Sequence, residues 1–423
     1  MNRPPNGEAA GDNGRLARLY RISQTFNSSL DLDQVLNSVI DEVIAATRAE
    51  RGFLMLSEGN RDLVFRAARG LDQNTIERPE FQVSRSVIDR VAREGQPLLT
   101  SNAQSEDWLS ERRSVVALGL RSVLCVPLQH KGETRGVIYV DNRVQTGIFT
   151  LADLEYLTSI AASAAIAIEN ARLYQVAVEK GRLEREIQLA LEVQSSLLPR
   201  QTPTLKGWEF GALWRPAREV AGDFYDFIPV DSEQLALVIA DVTDKGVPAA
   251  LYMALTRSIV RASMLHVSTP AEIIAHANRL ICNDAAYGMF VTLFYAQLDP
   301  RTGEMTYVNA GHNPPLLYRT AADQVVRLTR TGMALGIEEQ ASYAHETVAL
   351  NPGDLVCFYT DGLTEAYNPQ QEAYGMARLE AAVRAGSRSP VVELTRQVQA
   401  SVEQFVGGEL LADDITLVVL KRQ

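Results

Sequence analysis

Four apolar, strand-like runs each carry an aspartate at one end. Asp223 follows Gly222 and opens the run FYDFI, the run 235–240 closes on Asp241, LVCFYT leads into Asp361, and Asp413 with Asp414 precedes ITLVVL. Their β-branched and aromatic content predicts strands, punctuated by Gly222 and Gly246. An aspartate at the end of a buried strand is held rigidly with its carboxylate pointing out of the sheet. Four acidic positions of this kind are what a hard cation requires. Oxygen donors suit Mg²⁺ or Mn²⁺, and water fills the positions that the protein leaves open. Taken singly, any of these aspartates reads more simply as a turn or cap former.

Other chemistry-bearing residues surround them. Arg215 and Arg218 precede Asp223 and either orient a phosphate bidentately or serve as surface charge. Asp226 is a candidate outer neighbour of the site or a surface group, and Asp244 follows Asp241 in DVTDKG. The loop NAGHNPP brings Asn309, His312 and Asn313 together with two prolines, a rigid loop carrying donors for a phosphate or a substrate protein. His312 suits a proton donor to the leaving alkoxide, but bracing of its own loop is the stronger reading.

These residues must be positioned by a chain of 423 residues, 46% hydrophobic, enough for two or three domains with real cores. A net charge of −11 disfavours nonspecific nucleic-acid binding, which rests on neutralising phosphates. It also means that a phosphorylated substrate must be attracted locally. Cys125, Cys282 and Cys357 are far apart and form no CxxC pair, which argues against a disulfide or zinc framework, and none has an arginine six residues on, as a cysteine-based phosphatase would need. The uncharged run 156–168 is too short to span a bilayer and the N-terminus has no apolar signal core, so a cytoplasmic protein without membrane or nucleic-acid partners is expected.

Along the chain, 1–14 reads as a disordered tail. Helical periodicity begins at Arg15 and resumes after the cap-like Asp31–Asp33 break, and strands follow at GFLMLSE, DLVFRAARG, SVLCVPLQH and GVIYVDNR. From 150 to 198 nearly everything reads helical, interrupted only by Gly181. Beyond it Leu183, Ile187, Ala190, Gln194 and Leu197 step by four, three, four and three, a coiled-coil seam weakened by the polar Gln194, until Pro199 stops the helix. The seam predicts a parallel homodimer, the alternative being a helix packed on its own domain. After Gly207, strand runs interleaved with paired helices predict an antiparallel α+β layer fold.

Two resemblances sharpen this reading. VAGDFYD, DVTDKG, FVTLFYAQLD, NAGHNPPLL, GMALGI, YTDGLTEA and DDITLVVL, in this order, resemble the SpoIIE-like and RsbU-like branch of the metal-dependent PPM or PP2C serine/threonine phosphatases. That resemblance implies two stacked sheets flanked by helix pairs and two divalent ions, Mn²⁺ or Mg²⁺. Asp241 would bridge them with the carbonyl of Val242 beside it, Asp361 and Asp413 would complete one shell, and Asp223 would act on the other ion. By the same resemblance Asp413 is favoured over Asp414 as the ligand, and Asp244 would be a neighbour of the metal site and not a ligand. The substrate implied is a phosphorylated partner protein, commonly a STAS-type anti-sigma-factor antagonist. Earlier in the chain, RAERGFLML, SVLCVPL, GVIYVDNR and FTLADLEYLTSIAASAAIAIENARLY resemble a GAF sensory domain, whose ligand the residues do not name. Asn142, Arg143, Phe149 and Asp153 approximate a pattern of cyclic-nucleotide-binding GAF domains, with Arg143 and Asp153 as a structural ion pair. The expected division is 15–175 GAF domain, 176–200 helical linker and 201–423 phosphatase domain. A noncatalytic scaffold for partner-switching proteins is the competing reading, and a cyclic-nucleotide enzyme lacks the His-rich metal motif it would need.

Overall fold

A computed structural model describes residues 8–58, 62–70, 74–76, 83–100, 120–231, 234–284 and 288–423. The chain divides into two compact units, one ending at Leu183 and one spanning Glu184–Gln423.

In the first unit, helices α1 (Glu8–Phe26) and α2 (Leu32–Thr47) precede strands β1 (Arg51–Glu58) and β2 (Asp62–Gly70). Then come α3 (Arg85–Glu94), β3 (Leu98–Thr100), β4 (Ser122–His130), β5 (Glu133–Asn142) and the 47-residue helix α4 (Leu151–Leu197), whose residues from Glu184 on belong to the second unit. Residues 8–14, read from sequence as part of a disordered tail, lie inside α1, and 1–7 fall outside the described residues. Asp31 caps α2 by accepting the Gln34 N–H, as the sequence break suggested. The antiparallel sheet runs β2-β1-β5-β4-β3. The strands β1, β4 and β5 are buried on both faces along most of their length, so their pattern is a continuous apolar run. Leu54, Leu124, Val126 and Ile138 pack under α1, α2 and the first half of α4, and Phe53, Cys125, Val137 and Tyr139 pack under α3. Burial pushes the Cys125 thiol far up, which suits a packing residue and not a reactive one.

Among the described residues, α4 is the one helix long and apolar enough by composition to cross a membrane, and its apolar residues Leu157, Ile160, Ala164 and Ile168 lie in this core. Gly181 does not interrupt it. The expected Arg143–Asp153 pair does not form. Arg143 meets Glu50 at 3.2 Å, and Asp153 accepts from the backbone and hydroxyl of Thr150 at the start of α4. The buried ion pair of this unit joins Arg51 and Asp141, whose side chains face each other across paired positions of β1 and β5.

The second unit stacks two five-stranded antiparallel sheets. Its strands are β6 (Trp208–Arg215), β7 (Phe224–Pro229), β8 (Leu235–Val242), β9 (Val291–Leu298), β10 (Glu304–Ala310), β11 (Leu316–Arg319), β12 (Gln324–Arg327), β13 (Glu346–Ala349), β14 (Leu355–Tyr359) and β15 (Ile415–Arg422). The sheets are ordered β13-β10-β9-β8-β7 and β12-β11-β14-β15-β6. Helices α5 (Val247–Ser263) and α6 (Pro270–Asp284) cover the first sheet, and α8 (Gly375–Gly386) and α9 (Val391–Val406), which follow the single turn α7 (Asp361–Thr364), cover the second. A period of two divides each strand between an outer and an inner layer. On β8, Ala236, Val238 and Ala240 meet α5 and α6, and Leu235, Leu237 and Ile239 meet Phe358 and Val418 of the other sheet. The α+β expectation, with stacked sheets between helix pairs, holds.

Candidate active site

The inner layer is apolar until the strands end, and there it turns acidic. Asp241 continues the inward stripe of Leu235, Leu237 and Ile239, opposite Thr292 of β9. On the second sheet the stripe of Val356 and Phe358 runs into Thr360, and that of Leu420 and Val418 into Thr416. These two hydroxyls donate to Oδ2 of Asp223 at 2.6 and 2.9 Å, so a residue leading into the first sheet is oriented by the second. Asp223 is 2% exposed and its carbonyl accepts the Trp214 indole N–H.

Asp414 spends both oxygens on the loop before Asp223, accepting the N–H groups of Ala217 and Gly222 at 2.7 and 2.8 Å. Its neighbour Asp413 is about one-third exposed and meets Lys245 Nζ at 2.8 Å. Asp361 begins α7, which lies against the Asp413–Asp414 backbone so closely that a Cβ on Gly362 would collide with the Asp414 carbonyl. At Gly222 a Cβ would stand 3.0 Å from the Val242 carbonyl oxygen, so a glycine lets the two loops approach.

Crowding and burial penalise the charged forms. Burial, then Asp241 and Asp414, holds the Asp223 carboxyl well above the usual range. Asp241 is pushed up to about 7, first by burial and next by Asp361, with Asp413 and Asp414 adding to the repulsion and a hydrogen bond with Asp223 opposing it. Asp361 is raised by burial and by Glu365 and Asp413, and Lys245 works the other way. Carboxylates that raise one another in this way carry an excess of negative charge that a hard cation would relieve, and their oxygen-only donor set fits Mn²⁺ or Mg²⁺. Among the described residues no three acidic, His or Cys side chains enclose an ion by themselves.

The remaining candidates are dispersed. Asp226 faces outward from β7, buried, with Arg261 on both its oxygens at 2.6 and 2.8 Å and Arg257 at 3.0 Å, an anchor for α5 and not part of the acidic cluster. Arg215 pairs with Glu403 of α9 at 2.8 Å. Arg218 is exposed on the loop before Asp223, and Asp244 is exposed in a left-handed turn, φ 76°, accepting the Lys245 N–H. Asn309 is fully buried and donates to the Leu328 carbonyl. His312 is also buried, with Nδ1 2.9 Å from the Thr292 hydroxyl beside Asp241, and burial lowers its pKa to about 4. A neutral imidazole wedged there suits a brace better than a proton donor. Gln194 and Leu198, at the end of α4, are buried in the second unit, while Leu183 and Ala190 are exposed and Ile187 and Leu197 half-buried. Thr292, Thr360, Thr416 and Lys245 were not singled out from sequence. The signal for the three threonines was strand parity, since each stands an even number of residues from an inward apolar side chain. An open groove of about 740 Å³, bordered by Leu56, Arg66, Arg135, Arg172 and Val176, belongs to the first unit and holds none of the candidate carboxylates.

Comparison with known proteins agrees with this geometry. Residues 231–423 match the SpoIIE family (Stage II sporulation protein E) and residues 29–169 the GAF domain family. Protein IcfG of Synechocystis is 30% identical over 58% of this chain and 43% of its own length, and phosphoserine phosphatase RsbU of Bacillus subtilis is 29% identical over 57% of this chain and 71% of its own. The chain therefore spans less than half of the first of these relatives. Among solved structures, the SiaA-PP2C domain of Pseudomonas aeruginosa shares the fold, with a TM-score of 0.53 at 23% identity over 58% of this chain and 99% of that one. The chain thus carries a stretch that matches the GAF domain family, followed by one that matches the SpoIIE family and has the fold of the SiaA-PP2C domain.

Proposed function

We propose that the second unit hydrolyses phosphoserine or phosphothreonine on a partner protein, using two Mn²⁺ or Mg²⁺ ions, under control of the GAF domain. The observation that carries this is the meeting of Asp223, Asp241, Asp361 and Asp413 at one end of the two stacked sheets. Asp223, Asp241, Asp361 and Asp413, with the Val242 carbonyl, would hold the ions. Bound there, the metals would lower the pKa of water and neutralise the phosphoryl oxygens. The protein's part is to hold the carboxylates still. Thr360 and Thr416 fix the rotamer of Asp223, Asp414 fixes the loop that carries it, and Gly362 lets Asp361 approach the Asp413 backbone. Asp361 and Asp413 remain partly exposed, which suits a phosphorylated residue on a protein surface better than an engulfed small molecule.

RsbU is named as a phosphoserine phosphatase, which supports the same bond as target here. A STAS-type anti-sigma-factor antagonist is the substrate class we propose, in a cytoplasmic partner-switching system with a homodimer formed through α4. A noncatalytic scaffold would have no use for a complete acidic set. The test is hydrolysis of p-nitrophenyl phosphate and of a phosphoserine protein by the full chain with Mn²⁺ added or chelated. Metal-dependent turnover that falls roughly 100-fold or more in Asp241→Asn and Asp361→Asn is expected. Equal rates in both variants at limiting Mn²⁺ would remove the proposed site.

A further inference from the structure

Lys245 stands in the turn between β8 and α5, three residues after Val242 and four after Asp241. The turn is tight: Asp244 and Gly246 both take positive φ, 76° and 81°, and the Asp244 carboxylate accepts the Lys245 N–H at 2.9 Å. This folds the chain back on itself. The Lys245 ammonium reaches the segment before β15, donating to the Ala412 carbonyl at 2.6 Å and pairing with Asp413 Oδ2 at 2.8 Å. Its charge is felt as far as Asp361, whose ionised form it favours. The charged groups that weigh most on Asp241, Asp223 and Asp414 are acidic.

The pair is built to be loose. Both side chains are about one-third exposed, 35% and 34%, so either group exchanges its partner for water at small cost. The second contact of the ammonium, a backbone carbonyl, holds the lysine near Asp413 without needing the carboxylate. A permanent structural pair would be buried and bidentate, as Arg51 is on Asp141.

We infer that Lys245 is a resident counter-ion of the acidic cluster, competing for Asp413 with the divalent cation, so that loading of the site is an exchange of one cation for another. This rests on the metal-dependent reading above. The consequence is a lowered affinity for metal at the position that Asp413 serves, and an acidic cluster that is partly neutralised whatever the metal supply.

The experiment is calorimetric titration of the full chain with Mn²⁺ alone, without substrate, for the wild type, Lys245→Met, Asp413→Asn and the double variant. Lys245→Met should tighten the weaker Mn²⁺ site by roughly tenfold, as removal of one close charge implies. In the Asp413→Asn background the same change should matter less than twofold, because the competition has lost its object. Lys245→Gln, which keeps a polar side chain, should behave as Lys245→Met, and thermal melts of all variants establish that each is folded. Equal affinity in wild type and Lys245→Met, or the same tightening with and without Asp413, would overturn the inference. A wild type that binds Mn²⁺ while the variants do not differ removes only this inference. A wild type that binds no Mn²⁺ removes the metal reading as well.

Discussion

Gln194 and Ala221 exchange two hydrogen bonds: the amide Nε2 donates to the Ala221 carbonyl at 2.6 Å, and Oε1 accepts the Ala221 N–H at 3.0 Å. One side chain from the last turns of α4 thereby replaces the strand partner that this stretch of backbone lacks, two residues before Asp223. Gln194 is 4% exposed, so neither backbone group has water as an alternative. Truncation to alanine leaves a buried donor and acceptor unpaired, at about 1–3 kcal/mol. Gln194→Ala is expected to lower the melting temperature of the second unit and to raise the Mn²⁺ concentration needed for half-maximal phosphatase activity. A variant with unchanged metal dependence would show that the loop holds Asp223 without help from α4.

The same contact bears on where the second unit begins. A boundary near residue 200, drawn from Pro199 and Gly207, would cut away Gln194 and also Leu198, which packs in the core with Phe224, Val238 and Met253. The compact unit begins at Glu184. A fragment 184–423 should therefore melt roughly 5–10 °C above a fragment 200–423, taking about 3 kcal/mol for the lost contacts and the usual scaling for a domain of this size. Indistinguishable melts would mean that the end of α4 contributes nothing to that core.

Thr416 supplies one of two hydroxyls to a carboxylate that has no water to turn to. Thr416→Val keeps the β-branched shape on β15 and removes the donor, so the packing of Val418 and Leu420 is left intact. The expected result is a loss of about 1 kcal/mol or more in stability together with a several-fold fall in kcat at saturating Mn²⁺. Full kcat in a well-folded Thr416→Val would assign the orientation of Asp223 to Thr360 alone.

What the sequence made legible follows from what periodicity encodes. The order of strands and helices and the four strand-end aspartates were readable because each is a local pattern: an apolar run with an acid at its end. Strand parity was equally available, and would have placed Thr360 and Thr416 on the inner face with Asp241. Partners were not readable. Gln194 reads as a flaw in a heptad because seam counting scores side chains by polarity, whereas an amide can satisfy both groups of a peptide unit elsewhere in the fold. Arg215 and Arg218 lie close to Asp223 in sequence, yet Arg215, the last residue of β6, pairs with Glu403, nearly two hundred residues on. Arg143 and Asp153 were matched by spacing, and each found a nearer hydrogen-bond partner in Glu50 and Thr150.

The GAF domain offers a test of buried charge. Arg51 grips both oxygens of Asp141 at 2.8 and 2.6 Å, and both side chains are nearly inaccessible. Removal of the guanidinium alone strands a carboxylate in the interior, so Arg51→Met is expected to destabilise the first unit by about 3–5 kcal/mol. Arg51→Met with Asp141→Leu should recover most of that loss, since replacing a buried pair by apolar groups is close to neutral. Denaturant titration followed by a probe in the first unit measures both. A double variant no better than the single one would show that Asp141 is held by more than Arg51.

His312 makes a prediction whose sign is fixed by burial. Its folded pKa, about 4, lies below the ordinary 6.5, so the unfolded chain binds more protons than the folded one between those values. Stability from this residue is complete above pH 6.5 and is lost as pH falls toward 4, by up to about 3 kcal/mol. The imidazole should therefore show no titration by NMR between pH 5 and 8, and the acid limb of the activity profile should be the same in His312→Gln as in the parent. Because the glutamine amide can still bond the Thr292 hydroxyl, that variant should fold, and its melting temperature should depend less steeply on pH below 6.5 than the parent's. A titration midpoint near 6.5 would mean that the NAGHNPP loop opens to water, and a shifted acid limb in His312→Gln would return the residue to the role of proton donor.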